Sequence, residues 1–164
     1  MRHIPFVILF FMLFLSPSVS NLTAVENSPV GPLEAGKKDV CPVCGMFVHK
    51  YPNWVAQIIF CDKTYAFFDG AKDMFKYLLD LSKYNPKKTV NDIASIWVTD
   101  YYTTKLINGR EAYYVVGSDV LGPMGLELIP HKSEKAANAF VKDHGGQRIL
   151  RFHEVDLSLI ESLR

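Results

Sequence analysis

The chain has 164 residues, of which 49% are hydrophobic and 13% aromatic, so it can bury a sizeable core. Lys and Arg number 18 against 17 Asp and Glu. A balance this close to neutral excludes the basic surface by which proteins bind nucleic acid. The chain has three cysteines, an odd number, so at least one thiol stays unpaired if the compartment is oxidising.

The first twenty residues have the pattern of a secretory signal. Arg2 and His3 give a basic start, an unbroken apolar run fills 6–15, and Ser18 and Ser20 place small side chains where a signal peptidase would cut. The run is short for a permanent transmembrane helix. We therefore expect a periplasmic protein, anchored in the membrane only if the signal is not cleaved. No cysteine follows the run directly, so the sequence predicts no lipidation cysteine.

Residues 21–39 are predicted to form a flexible tether, because Pro and Gly recur there with little periodic apolar content. After the tether, residues 40–164 are predicted to form one metal-binding domain. The order of its elements divides it into two units, at about 41–105 and 106–164.

The first unit predicts two strands, a helix and a third strand. Runs of β-branched and aromatic residues at 54–60 and 64–68 are joined by a short turn, which is typical of a hairpin. Asp69 is expected to cap a helix, because apolar residues follow it at helical spacing. These residues are Ala71, Met74, Phe75, Leu78 and Leu79. The third strand is predicted at 93–102.

The second unit repeats this order. Ser133 is expected to cap a helix that Gly145 and Gly146 end. Strands are predicted at 112–116, 126–129 and 147–155, with a short helix at 157–163. The repeated order predicts an α+β fold made of two similar ββαβ units packed together.

The segment from Cys41 to Met46 carries three sulfur donors. Cys41 and Cys44 are three positions apart, so both thiolates can reach one ion, and Met46 adds a thioether. Thiolate and thioether are soft donors, which favour Cu(I) over Zn(II). His49 could supply a nitrogen ligand or lie beside the site.

Other interpretations of the cysteine pair stay open. Cys41 and Cys44 could be the redox pair of a thiol–disulfide reductant, although such a pair normally opens a helix, and Gly45 and Pro52 argue against a long helix. A structural disulfide could join the two, or join either one to Cys61. A structural zinc site is disfavoured because the chain has no second Cys-x-x-Cys to complete four ligands.

Met124 is the other candidate ligand. It lies between Pro123 and Gly125, with Gly122 before them, so a tight loop is expected to turn its sulfur outwards. Met74, by contrast, sits at the helical spacing of a core residue. The sequence shows no Ser-His-Asp order, paired carboxylates in a plausible pocket, phosphate-binding glycine loop or dinucleotide fingerprint, so an enzyme is not predicted.

Several spaced motifs together resemble the NosL family, copper-binding accessory proteins of nitrous-oxide reductase. From about residue 40 to 155 these are Cys41-Pro42-Val43-Cys44-Gly45-Met46, Phe67-Phe68-Asp69, Asp73-Met74-Phe75, Tyr114-Val115-Val116-Gly117-Ser118, Gly122-Pro123-Met124-Gly125, Leu128-Ile129-Pro130 and His144-Gly145-Gly146. The resemblance implies the two-unit fold and the binding of one Cu(I). It also implies delivery of copper for the copper–sulfide centre of nitrous-oxide reductase.

The resemblance also implies ligands and partners. Cys44, Met46 and Met124 would be ligands, with Cys41 and His49 as further candidates. The partners would be apo-nitrous-oxide reductase and a membrane copper-export or maturation complex, with no small-molecule substrate. Members of this family are commonly lipoproteins, whereas this chain has no cysteine at the end of its signal.

Overall fold

The computed structural model describes residues 30–163. The predicted signal and residues 21–29 of the predicted tether lie outside this range. The first half contains β1 Ala56–Phe60, β2 Tyr65–Phe68, α1 Ala71–Leu79, α2 Leu81–Tyr84, β3 Ile93–Thr99 and β4 Leu106–Asn108. The second half contains β5 Tyr113–Val116, β6 Ile129–His131, α3 Glu134–His144, β7 Arg148–Arg151 and α4 Leu157–Ser162. Short 3-10 helices are Val48–Lys50, Pro52–Trp54, Val90–Asp92 and Phe152–Glu154.

The strands form two antiparallel sheets, one in each half. The first sheet has the order β2-β1-β3-β4, and the second has the order β6-β5-β7. In both sheets the first strand of the unit lies in the middle, between its hairpin partner and the strand that follows the helix. The α+β fold of two ββαβ units is therefore confirmed.

The start of α1 differs from the prediction. The residue before the helix is Gly70, in extended backbone, and its position has no side-chain cap. Asp69 is buried instead, with its carboxylate beside Cys44. The expectation that Asp69 caps α1 is therefore wrong, and the reason is that its side chain turns inward, away from the helix's own N–H groups.

The other helix predictions follow the spacing of apolar residues. Ala71, Met74 and Phe75 are buried as predicted, whereas Leu79 is exposed because α1 ends there. In α3, the Ser133 hydroxyl accepts the Ala136 N–H at 3.2 Å. Gly145, at φ +69°, ends this helix in the left-handed region, where glycine avoids the steric cost of a side chain.

Strand boundaries are shorter than predicted at two places. The third strand ends at Thr99, because Asp100 begins a turn in which its carboxylate accepts the Thr103 N–H at 2.9 Å. The last strand ends at Arg151, where a 3-10 turn begins. The second strand of the second unit is Ile129–His131, shifted towards the helix relative to 126–129. The sequence did not predict β4, a three-residue edge strand of half-buried side chains.

One core spans both units. The ring of Phe75 in α1 lies 5.0 Å from that of Tyr114 in β5 and 5.1 Å from that of Phe152. A second, smaller cluster beneath α3 includes Phe140 and packs against Trp54 of the first half. The two units are therefore joined by shared apolar packing.

Hydrogen bonds hold the part of the predicted tether that the structure describes. The Leu33 N–H donates to the Gln57 side chain in β1 at 2.8 Å, and Gln57 donates back to the Leu33 carbonyl at 3.1 Å. The Val30 carbonyl accepts from the indole of Trp97 at 3.0 Å. The predicted domain limits remain predictions, but the chain already contacts the first sheet before residue 40. Among the residues described, no helix has the length and apolar character needed to span a bilayer.

Candidate metal site

The segment predicted to bind metal forms a closed loop. The Gly45 N–H donates to the Cys41 carbonyl at 2.9 Å, and the Cys41 N–H donates to the Met46 carbonyl at 2.9 Å. Gly45 has φ +80°, which a residue with a side chain would adopt only under strain. Two backbone hydrogen bonds and this glycine therefore bring the two cysteines to one side of the loop.

Two aspartates complete a group of four donor side chains. Cys41 Sγ lies 3.4 Å from Asp73 Oδ2, and Cys44 Sγ lies 3.2 Å from Asp69 Oδ1. One ligand atom from each of these four residues lies within 4.8 Å of every other. The loop before the first sheet and the start of α1 thus meet at a point where one ion can be held.

The aspartates are the donors that the sequence did not identify. Asp69 and Asp73 are both buried, and Asp69 Oδ2 has no hydrogen-bond partner among the described residues. In the sequence both belong to the motifs that resemble the NosL family, and the sequence predicts a capping role for Asp69. The available signal was two acidic residues, one just before a predicted helix and one in its first turn, in a segment whose other residues are mostly apolar.

Burial disfavours the thiolate form of both cysteines. It raises the pKa of Cys44 to about 12, with Asp69 adding to the effect and the backbone N–H of Met46 opposing it. Burial raises the pKa of Cys41 still further, and Asp73 contributes by charge repulsion. In the metal-free protein both groups are therefore thiols that donate to carboxylates, and a bound cation must displace their protons.

The same shift argues against the redox interpretation of the cysteine pair. A reactive pair needs a depressed thiol pKa, usually at a helix N-terminus. Here the pair is followed by a 3-10 turn, Val48–Lys50, and the pKa shifts are upward. All three cysteines are free thiols in the structure, and Cys61 is exposed in the β1–β2 turn, outside the group of four.

Met124 occupies the tip of a tight turn, as the sequence predicted. Gly122 and Gly125 exchange backbone hydrogen bonds of 2.8 and 3.1 Å across it. The Met124 side chain is 47% exposed. With Asp73 it lines one cavity of about 360 Å³, bounded below by the C-terminal helix. The Met124 turn and Asp73 therefore border the same cavity.

Met46 and His49 differ in their surroundings. Met46 is half-buried within the closed loop. His49 is exposed, its ring lies 6.0 Å from that of Phe47, and it lines a separate cavity with Leu33 and Val55. The structure thus brings Cys41 and Cys44 together and adds Asp69 and Asp73, whereas the full ligand set of Cys41, Cys44, Met46, His49 and Met124 remains a prediction.

Comparison with known proteins identifies the family. The NosL family model matches residues 32–160. The chain belongs to the NosL family. It is 32% identical over 132 residues to the copper-binding lipoprotein NosL of Stutzerimonas stutzeri, covering 79% of this chain and 68% of that protein.

Two solved structures belong to the same family. The crystal structure of the copper chaperone NosL from Shewanella denitrificans superimposes with a TM-score of 0.69 at 25% identity, covering 80% of this chain and 99% of that one. The solution structure of apo-NosL from Achromobacter cycloclastes gives a TM-score of 0.46 at 26% identity, with 64% and 87% coverage. The names of the relatives describe copper-binding and chaperone proteins, which agrees with the prediction that the chain is not an enzyme.

One prediction is corrected by these relatives. The Stutzerimonas stutzeri protein is named a lipoprotein. This name contradicts the predicted localisation, a periplasmic protein without a lipidation cysteine. That prediction depended only on where cysteines fall after the apolar run of 6–15, and the run lies outside the described residues.

Proposed function

We propose that this protein binds one Cu(I) ion and delivers copper for maturation of the copper–sulfide centre of nitrous-oxide reductase. The observation that carries the proposal is the pair of thiols, Cys41 and Cys44, held on one side of a closed loop that also contains Met46. The family relatives named for copper binding and copper chaperoning support it.

Donor chemistry supports Cu(I) as the ion. Thiolate and thioether ligands are soft, and Cu(I) prefers them to oxygen. Cys44 and Met46 supply both types within three residues, and Met124 would add a second thioether from the cavity that Asp73 also lines. The carboxylates of Asp69 and Asp73 are hard donors, and in the metal-free protein they orient the thiols by accepting their hydrogen bonds.

Exposure of the donors suits transfer to a partner. Cys41 is buried, Cys44 is half-buried and Met124 is 47% exposed, so the site is more open on the Met124 side. An acceptor can approach there and replace the thioether first, before it reaches the thiols. The acceptor would be apo-nitrous-oxide reductase, and the donor would be a membrane copper-export or maturation complex.

Replacing the thioethers tests the ligand set. We expect Met46→Leu and Met124→Leu each to weaken Cu(I) binding by about tenfold or more, because loss of groups that only support a metal ligand already costs 10- to 100-fold. The measurement is a competition titration under reducing conditions with a chromogenic Cu(I) chelator.

The matched control is Met74→Leu, because Met74 is fully buried in α1 with the core rather than the site. It should leave the Cu(I) affinity at the wild-type value. Wild-type affinity in both Met46→Leu and Met124→Leu would contradict these ligand assignments. Delivery is tested separately, by mixing copper-loaded protein with apo-nitrous-oxide reductase, separating the two proteins and measuring the copper bound to the reductase. Copper transfer no better than from free Cu(I) at the same concentration would contradict the delivery role.

A further inference from the structure

A buried carboxyl group from the second unit caps the helix of the first, and burial raises the pKa of this Glu127 side chain to about 8. Glu127 is 4% exposed, and its Oε1 accepts the Lys72 backbone N–H at 2.5 Å and the Leu128 N–H at 2.9 Å. Lys72 is in the first turn of α1, where backbone N–H groups lack partners within the helix. Glu127 thus supplies the cap that Gly70 cannot provide.

The side chain of Lys72, in the first unit, donates hydrogen bonds to the second unit. Its Nζ donates to the carbonyls of Met124 at 2.8 Å, Leu126 at 2.6 Å and Leu163 at 3.2 Å. Only 8% of this lysine is exposed. A buried ammonium needs hydrogen-bond acceptors, and these three carbonyls provide them. The Lys72 side chain therefore fixes the Met124 turn and the end of α4 relative to α1.

Two glycines leave room for the carboxyl group of Glu127. A Cβ on Gly70 would lie 2.2 Å from Glu127 Oε2, and a Cβ on Gly122 would lie 3.0 Å from the same atom. Glu127 is therefore tightly enclosed between the start of α1 and the turn that carries Met124. Neither backbone can move towards the other without displacing this side chain.

These contacts adjoin the candidate site on both sides. Asp69 and Asp73 are on either side of Gly70 and Lys72 in the chain, and both touch a cysteine thiol. Met124 precedes Glu127 by three residues. We propose that Glu127, together with Lys72, is a positioning residue that holds the Met124 thioether within reach of an ion on Cys41 and Cys44. This inference rests on the proposed function, in which Met124 is a Cu(I) ligand.

A double-mutant cycle tests whether Glu127 acts through Met124. Glu127→Ala should weaken Cu(I) binding by about 10- to 100-fold, as expected for a group that orients a ligand. In the Met124→Leu background the same substitution should have no further effect on affinity, because the thioether that it positions is already gone. Glu127→Gln keeps an oxygen acceptor for the Lys72 N–H and should restore most of the affinity.

A spectroscopic measurement separates positioning from general stability. X-ray absorption at the copper edge should show one fewer sulfur neighbour in Glu127→Ala than in the wild type, and the same number as in Met124→Leu. Tyr114→Phe is the matched control, because it removes a buried hydrogen bond of 2.6 Å to the Gly109 carbonyl in another part of the core. It should lower the melting temperature without changing the copper affinity or the sulfur count.

The outcomes are distinct. Additive effects of Glu127→Ala and Met124→Leu, or an unchanged sulfur count in Glu127→Ala, would overturn the positioning role while leaving copper binding in place. Absence of Cu(I) binding in the wild type would instead overturn the proposed function. If Glu127→Ala does not fold, Lys72→Leu takes its place in the same cycle, because it keeps an apolar stem, adds no sulfur donor near the copper and removes the ammonium that holds the Met124 carbonyl.

Discussion

At the level of single residues, the thiols of Cys41 and Cys44 determine how metal binding responds to pH. Burial raises both pKa values, that of Cys44 to about 12, so neither thiol ionises in the metal-free protein near neutral pH. A Cu(I) ion that binds a thiolate must therefore release one proton from each cysteine that it engages. Proton release makes the number of cysteine ligands measurable.

We expect the apparent Cu(I) affinity to rise with pH. Each cysteine engaged adds about tenfold per pH unit, because one proton is released per thiolate formed. Between about pH 6 and pH 8 the logarithm of the affinity should have a slope of two for the wild type and one for Cys41→Ser. The measurement is the chelator competition titration repeated across pH, with the chelator's own protonation corrected. A slope of zero would show that the thiols are not ligands.

At the level of elements, the start of α1 shows what sequence reasoning could reach and where it failed. Spacing of Ala71, Met74 and Phe75 predicted the helix, because an apolar face must pack on the sheet. The predicted cap, Asp69, was wrong, because an aspartate at this position can either cap the helix or make a buried contact with Cys44, and it does the latter. The true cap, Glu127, is 55 positions from Lys72, and no local pattern reports a partner at that distance.

The strands illustrate the same limit. The hairpin of β1 and β2 was predicted because most of its residues are β-branched or aromatic. The edge strand β4 was missed, since three half-buried residues have no alternation to detect.

At the candidate site, the sequence predicted the sulfur ligands but not the aspartates, for a related reason. Cys41, Cys44 and Met46 are adjacent in sequence, whereas the aspartates reach them through the folding of β2 and α1 onto the loop.

His131 in β6 provides a test of how the second unit packs. Its ring is fully buried, 4.7 Å from that of Phe140 in α3, and neither ring nitrogen has a hydrogen-bond partner among the described residues. Burial lowers its pKa to about 4, with nearby Asp100 partly opposing the shift. In the unfolded chain a histidine titrates near pH 6.5.

We therefore expect stability to fall on acidification because of His131. Between about pH 6.5 and pH 4 the unfolded chain binds the proton and the folded chain does not, so the free energy of unfolding decreases as pH falls, by roughly 3 kcal/mol. Above about pH 6.5 this contribution is constant. His131→Phe keeps the aromatic packing and should reduce the pH dependence in that window, measured by denaturant unfolding. His153→Gln, at an exposed histidine, is the control and should retain it. An unchanged dependence in His131→Phe would contradict the assignment.

At the level of the whole molecule, repeated element order predicted two units, but it said nothing about how they meet. The structure shows that they share a core, since Phe75 of the first unit contacts Tyr114 of the second. Hydrogen bonds beside the candidate site also join them, because Lys72 of the first unit contacts Met124 and Glu127 of the second. Contacts between units depend on side-chain shape across the interface, which spacing along one chain does not encode.

A shared core implies that the two units unfold together. Ile58 lies in the middle strand of the first sheet and is fully buried. Ile58→Val should cost about 0.5–1.5 kcal/mol. In native-state hydrogen exchange the opening free energy of the Ile59 amide in β1 and of the Val115 amide in β5 should fall by that same amount, because both open only in global unfolding. Val90→Ala, at an exposed position outside both clusters, should change neither. If only the first unit lost protection in Ile58→Val, the two units would unfold independently of each other.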